Sequence, residues 1–150
     1  MNVIYINESS ASAIKTSAIE RFPEECCGFL WGQGNHILVT KEVKNIAGNS
    51  EEAFRVSHLD YQAAEEFADR NGLSLLGVYH SHPNSPAIPS DQDIKHAIPY
   101  FINLILSVTM FESKEIRCWH MDRKQVLENK LKIKEYGNNL NSNPAKTICG

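Results

Sequence analysis

The stretch LSLLGVYHSHPNSPAIPSDQD, Leu73 to Asp93, decides how the chain is read. Its opening run, Leu73 to His82, is apolar almost throughout, the mark of a strand covered on both faces and so of a central place in a sheet. Pro83, Pro86 and Pro89 then deny the next residues regular structure, and Ser90 to about His96 reads as a short helix. Outward from this centre the signals alternate. Ala11, Ile14, Ala18 and Phe22 recur at helical steps from Ser9 to Phe22, with Ser9 or Asn7 as N-cap and Pro23 as stop. CCGFLWG and HILVTKEVKNI read as two strands joined by a turn at Gly32 to Asn35, and Leu59, Ala63 and Phe67 lie on a second helix ended by Gly72. Beyond the central stretch, Phe101 to Met110, EIRCWHM and VLENKLKIK read as three more strands. The order α-β-β-α-β-α-β-β-β predicts a mixed β-sheet flanked by helices, an α/β (α+β) three-layer domain over residues 1–134. Residues 135–150, polar and rich in Asn, read as a flexible C-terminal tail. Lys130, Lys132 and Lys134 share one face of the last strand and suit a solvated sheet edge.

The chain has 150 residues, 42% of them hydrophobic, which suits one domain with one sizeable core. A net charge of −3 and the absence of a Lys/Arg cluster argue against nucleic acid as a partner. MNVIYINESS lacks the basic and apolar regions of a signal peptide, and YFINLILSVTM is too short and polar to span a bilayer, so no membrane role is expected and the location expected is cytoplasmic. Adjacent Cys26 and Cys27, with Cys118 and Cys149 far off, do not form the spaced framework of a secreted domain. Reduced thiols are expected.

His80 and His82 stand at i and i+2 of a strand, so they share one face while Ser81 points to the other. Two imidazoles side by side can chelate an ion, and a catalytic zinc site takes two His and a carboxylate with one position open to water. Asp93 offers that carboxylate, yet Ser90-Asp91-Gln92-Asp93 is equally a helix-capping pattern. Ser57-His58-Leu59-Asp60 has the same spacing, also at a helix start, with no histidine pair before it. Capping therefore explains both tetrapeptides, and only the position of Asp93 argues for a ligand. Hydrolysis by a metal also needs a base for the proton of the attacking water. Glu24 and Glu25, directly before an apolar strand, are candidates, with a solvated or salt-bridged pair as the plainer alternative.

Together, a Glu before a Cys-Gly strand, His-Ser-His-Pro, and Ser-x-x-Asp with seven residues separating His82 from Ser90 resemble the JAMM motif of the JAB1/MPN/Mov34 metalloprotease family. RFPEECCG is similar to that family's upstream segment, and the element order fits its fold over about residues 1–134. The resemblance implies a cytidine-deaminase-like/MPN architecture. It implies one zinc ion with a water as nucleophile, held by His80, His82 and Asp93. Glu25, two residues before the Cys of Cys27-Gly28, would be general base and acid, and Ser90 would help stabilise the oxyanion. It further implies an isopeptidase acting after the C-terminal Gly-Gly of a ubiquitin-like or sulfur-carrier protein, in the compact form of the prokaryotic members. Phe54 and Arg55 fall on a segment that approaches the site in that family, where Arg55 could orient the substrate tail. Rival readings are a non-catalytic scaffold of the same fold and a RadC-like protein of uncertain activity. The scaffold predicts missing ligands, and Ser81 stands where the RadC-like group has Asn. Deaminase and serine-hydrolase readings lack the Pro-Cys-x-x-Cys and Gly-x-Ser-x-Gly patterns they require. The oligomeric state is left open by the sequence.

Overall fold

The computed structural model describes residues 2–135. In chain order the elements are β1 (Val3–Asn7), α1 (Glu8–Arg21), β2 (Cys27–Gln33), β3 (His36–Val43), α2 (His58–Asn71), β4 (Ser74–Pro83), α3 (Asp91–His96), β5 (Ile102–Val108), β6 (Ser113–Met121) and β7 (Val126–Lys134). Each helix starts where a short polar side chain can take an orphan amide. Asn7 accepts the Ser10 N–H for α1, Ser57 that of Asp60 for α2, and Ser90 that of Asp93 for α3. Gly72 ends α2 in the left-handed conformation, φ 62°, that a residue without Cβ adopts at least cost.

The strands run β1-β3-β2-β4-β5-β6-β7, and β7 pairs with β1 to close a barrel. β4 sits centrally, antiparallel to β2 and parallel to β5, so its end is held from both sides: Cys27 lies opposite His80, and His80 opposite Ile105. The alternation of side chains along each strand sorts most apolar residues into two main cores, with Ile105 and Trp119 joining Ala87 in a smaller third. Leu30, Tyr79, Leu104, Leu106 and Cys118 face inward onto Ala11, Ile14 and Ala18 of α1. Cys27, Phe29, Trp31 and Val78 face outward, under Ala64 and Ala68 of α2. Adjacent Cys26 and Cys27 thus enter different cores, both as free, buried thiols.

The mixed α+β composition and the helices on both faces of a sheet agree with the sequence reading. Three points correct it. VIYIN forms a strand where the sequence reading placed none, although Val, Ile and Tyr all favour strands. At five residues it is fixed by partners far away in sequence, β3 at Tyr5 and Ile6 and β7 along its whole length. With that strand in place the sheet is a closed barrel around α1 rather than an open layer. Lys130, Lys132 and Lys134 do not lie on a free edge either, since they pair with Val3, Tyr5 and Asn7. β7 uses its first residues against β6 and its last against β1. The tail expected at 135–150 lies, beyond residue 135, outside the described residues. Among the described residues no helix is long and apolar enough to cross a membrane.

Candidate functional site

At the end of β4, His80 and His82 follow Val78 on the outer face, and the proline loop returns the chain so that α3 starts beside them. His80 Nε2 lies 3.1 Å from His82 Nε2 and 3.2 Å from Asp93 Oδ2, and His82 Nε2 lies 3.0 Å from the same oxygen. All three side chains are buried or nearly so. A tetrahedral ion at about 2.0–2.1 Å from each ligand atom spaces those atoms by about 3.3 Å. The three atoms therefore stand almost where one zinc ion would hold them. The donor chemistry agrees. His82 Nδ1 is 2.8 Å from the Pro86 carbonyl, which accepts its N–H and leaves Nε2 of the neutral ring as a lone pair aimed at the cluster. Lone pairs on two rings and a carboxylate oxygen cannot share so small a space without a cation or a proton between them.

Burial and charge divide the cluster. Burial holds His80 below the ordinary imidazole range, overriding its bonds to Asp93. For His82 burial acts in the same direction, but Asp93 and the Pro86 carbonyl outweigh it and lift the ring. Burial would raise the Asp93 carboxyl, yet the two imidazoles, which donate to it when they carry a proton on Nε2, dominate and keep it far below the usual carboxylate range. Asp93 caps its helix as well. Ser90 and Asp93 form a reciprocal capping box, with the Ser90 N–H donating to Asp93 Oδ2 at 2.9 Å and the Asp93 N–H to Ser90 Oγ at 3.1 Å. The same oxygen accepts the amide and faces the imidazoles.

Of the two adjacent acids, Glu24 points out and accepts from the Ser50 hydroxyl. Glu25 turns in: it is 5% exposed, and its Oε1 has no hydrogen-bond partner. Burial pushes its carboxyl up to about 8, opposed in part by His82 and reinforced by Asp93. Glu25 is not among the three residues whose ligand atoms cluster. Ser90 is exposed at the rim; its Oγ accepts one amide and its hydroxyl proton is free to donate. Phe54 lies over His80, rings stacked at 4.3 Å and 22°. With Arg55, Tyr61, Ile98 and Phe101 it lines a groove of about 600 Å³ that reaches His80 and Asp93.

Two supporting residues escaped the sequence reading. Ser81, between the histidines, is fully buried on the opposite face; its Oγ accepts the Cys26 N–H at 2.8 Å and its own N–H donates to the Cys26 carbonyl at 3.1 Å. It joins the histidine strand to the residue after Glu25. The available signal was a hydroxyl inside an apolar run, which must find a partner when buried. Trp119 on β6 donates its indole N–H to the Ala87 carbonyl at 3.0 Å and so pins the loop next to the carbonyl that orients His82. No spacing in the sequence announces that contact.

A model of prokaryotic homologues of the JAB domain matches residues 7–122. A probable TtuB-protein conjugate cleaving protease of Thermus thermophilus is 32% identical over 103 residues, 67% of this chain and 69% of that protein. A desampylase of Pyrococcus furiosus is 30% identical over 100 residues, again 67% and 69%. In three dimensions a protein of Desulfitobacterium hafniense, known from its solution structure, superposes with a TM-score of 0.75 at 26% identity, covering 88% of this chain and 93% of that one.

Proposed function

The chain belongs to the family of prokaryotic homologues of the JAB domain, and we propose that it is a zinc-dependent peptidase of the JAMM type. Its substrate in this reading is the bond, peptide or isopeptide, after the C-terminal Gly-Gly of a ubiquitin-like or sulfur-carrier protein. One observation carries the reading: three ligand atoms within 3.2 Å of one another stand near a buried glutamate with an unpartnered oxygen. The names of the relatives, a conjugate-cleaving protease and a desampylase, support cleavage of protein conjugates.

His80, His82 and Asp93 would hold the zinc. When bound, the ion supplies Lewis acidity, drawing the pKa of a water in its open position toward about 7 and polarising a carbonyl. Glu25 takes the proton released in the attack and returns it to the leaving amine. Burial pushes that carboxyl up to about 8, and a zinc dication beside it would favour the charged form that accepts the proton, so the two effects together hold it nearer neutral pH than an exposed glutamate. Ser90, with its own O–H unused, donates to the oxygen that gains charge as the carbonyl carbon becomes tetrahedral. The groove beside Phe54 and Arg55 takes the extended tail that leads to the scissile bond.

The test is to measure bound zinc and the cleavage of a fusion extended past a ubiquitin-like Gly-Gly terminus, for the wild type and for Glu25→Gln. One zinc per chain in both proteins is expected, with turnover lower by about 10²–10⁴-fold in the variant. No bound zinc would favour the scaffold reading, and zinc without turnover on any such fusion would sink the assigned substrate class.

A further inference from the structure

Asn45 lies just past β3, at the head of the segment that runs to α2. Its side chain binds four backbone groups at once. Nδ2 donates to the Glu25 carbonyl at 3.0 Å and to the Ala53 carbonyl at 2.9 Å. Oδ1 accepts the N–H groups of Ala47 and Arg55, each at 3.0 Å. A primary amide has two donor hydrogens and two acceptor lone pairs, so this one is saturated. A turn-forming asparagine normally serves its own neighbourhood, as Asn45 does toward Ala47. The bond to Glu25 instead crosses 20 residues of sequence and joins two separate segments.

Those segments carry the two groups that flank the candidate ligands. On one side is Glu25. Its Oε1 has no partner to steer it, so the aim of the carboxylate depends on how firmly the backbone beneath it is held. From β4, Ser81 grips the next residue, Cys26, through both of its backbone groups. From the opposite side the Glu25 N–H donates to the Ser50 carbonyl at 2.7 Å and the Glu25 carbonyl accepts from Asn45. On the other side is Phe54, which sits between Ala53 and Arg55, the two residues whose backbone Asn45 holds, and whose ring covers His80. The Ile46 N–H donates to the Arg55 carbonyl at 2.9 Å and continues the same clamp.

We propose that Asn45 is a positioning residue for the hydrolysis, fixing the carboxylate of Glu25 and the Phe54 cover of His80 in one frame. This rests on the peptidase reading. Asn45 touches neither the ligands nor the groove's candidate substrate, and its effect passes through the backbone it ties together. Misplacing a catalytic group by about 1 Å can cost about 10²-fold in rate, which sets the scale of what the clamp controls.

The informative variant is Asn45→Asp, which keeps both acceptor bonds, to Ala47 and Arg55, and removes both donors, leaving oxygen against the carbonyls of Glu25 and Ala53. With the Gly-Gly fusion as substrate, kcat should fall by about 10²-fold, with KM within about threefold and the zinc content of the wild type. A merely structural residue would lower activity only in step with the folded fraction and the bound zinc, so thermal unfolding and zinc content are measured on the same samples. Amide hydrogen exchange gives an arm independent of activity. In Asn45→Asp the Arg55 amide should stay protected while the Glu25 amide exchanges faster; in Asn45→Ala, which also serves if the Asp variant does not fold, both should exchange faster. A kcat within about threefold of wild type, or a fall that tracks lost fold or lost zinc, would overturn the proposal. If the wild type cleaves no such fusion, the assigned substrate class fails by itself and the exchange data decide on the clamp: an unchanged Glu25 amide would refute it.

Discussion

Asp93 Oδ2 accepts the Ser90 N–H and faces both imidazoles, so one oxygen serves the helix and the candidate metal centre, and substitution can separate the two duties. Asp93→Asn keeps an oxygen that can accept the Ser90 amide but removes the charge and the anionic ligand. Zinc affinity is expected to fall by at least about 100-fold while helix content by circular dichroism is unchanged. Ser90→Ala should do the reverse for the helix, at a cost of about 1 kcal/mol for the lost cap, read by thermal unfolding. Glu25 makes a pH prediction. Its folded-state pKa, pushed up to about 8, lies above the unfolded value of about 4.3. The native state therefore binds this proton more tightly than the unfolded chain does. The stability it contributes is fully present below about pH 4.3 and is lost as the pH rises through about 8. In metal-free protein, Glu25→Gln should raise Tm relative to wild type by ~5 °C or more at pH 8.5 and by much less at pH 5. Equal shifts at both pH values would contradict the raised pKa.

The elements around the site act as a frame for its backbone. β3 and β4 crowd Gly28 of β2 so closely that a Cβ there would sit 2.3 Å from the Lys41 carbonyl oxygen on one side and 2.4 Å from the Tyr79 ring on the other. The Gly after Cys27 is thus required by packing, whatever the chemistry of the Glu before it. Ser81 completes the frame at the strand end. Ser81→Ala would leave the buried Cys26 N–H without a partner, a loss of about 1–3 kcal/mol. Turnover on the Gly-Gly fusion should drop further than stability alone explains, because the backbone after Glu25 loosens. A variant with wild-type turnover and an unchanged Tm would show that the bond is dispensable. The elements also show where local sequence runs out as a guide. Ser57-x-x-Asp60 and Ser90-x-x-Asp93 have one spacing, yet only the second is a reciprocal box. The second carboxylate is turned back among the imidazoles, and that depends on the proline loop placing α3 beside β4.

At the scale of the molecule, the barrel closes through its least conspicuous strand. Ile6, fully buried, pairs with Ile37 of β3 on one side and Ile133 of β7 on the other. Ile6→Ala is expected to cost about 2–5 kcal/mol and to speed amide exchange along both β1 and the end of β7, since neither strand has its closing partner without the other. Loss of protection in β1 alone would argue that β7 stands by itself. Much of this fold was readable from the chain. The three helices with their caps and six of the seven strands follow from local causes: apolar period, proline and glycine stops, and capping residues. The spacing of His80, His82 and Asp93 marks them as candidate ligands, whereas Glu25 in preference to Glu24, and Ser90 as an oxyanion donor, rest on the family resemblance. What the sequence by itself determined is therefore which residues form each element and which side chains share a face, because period and backbone restriction act within a few bonds. Only the tertiary structure decided that β1 closes a barrel, that the lysines of β7 are paired, that one oxygen of Asp93 does two jobs, and that Asn45, Ser81 and Trp119 hold the site. All but the Asp93 contacts depend on hydrogen bonds between segments 20 or more residues apart, and the Asp93 contacts depend on how the proline loop folds back; neither leaves a periodic trace in the chain.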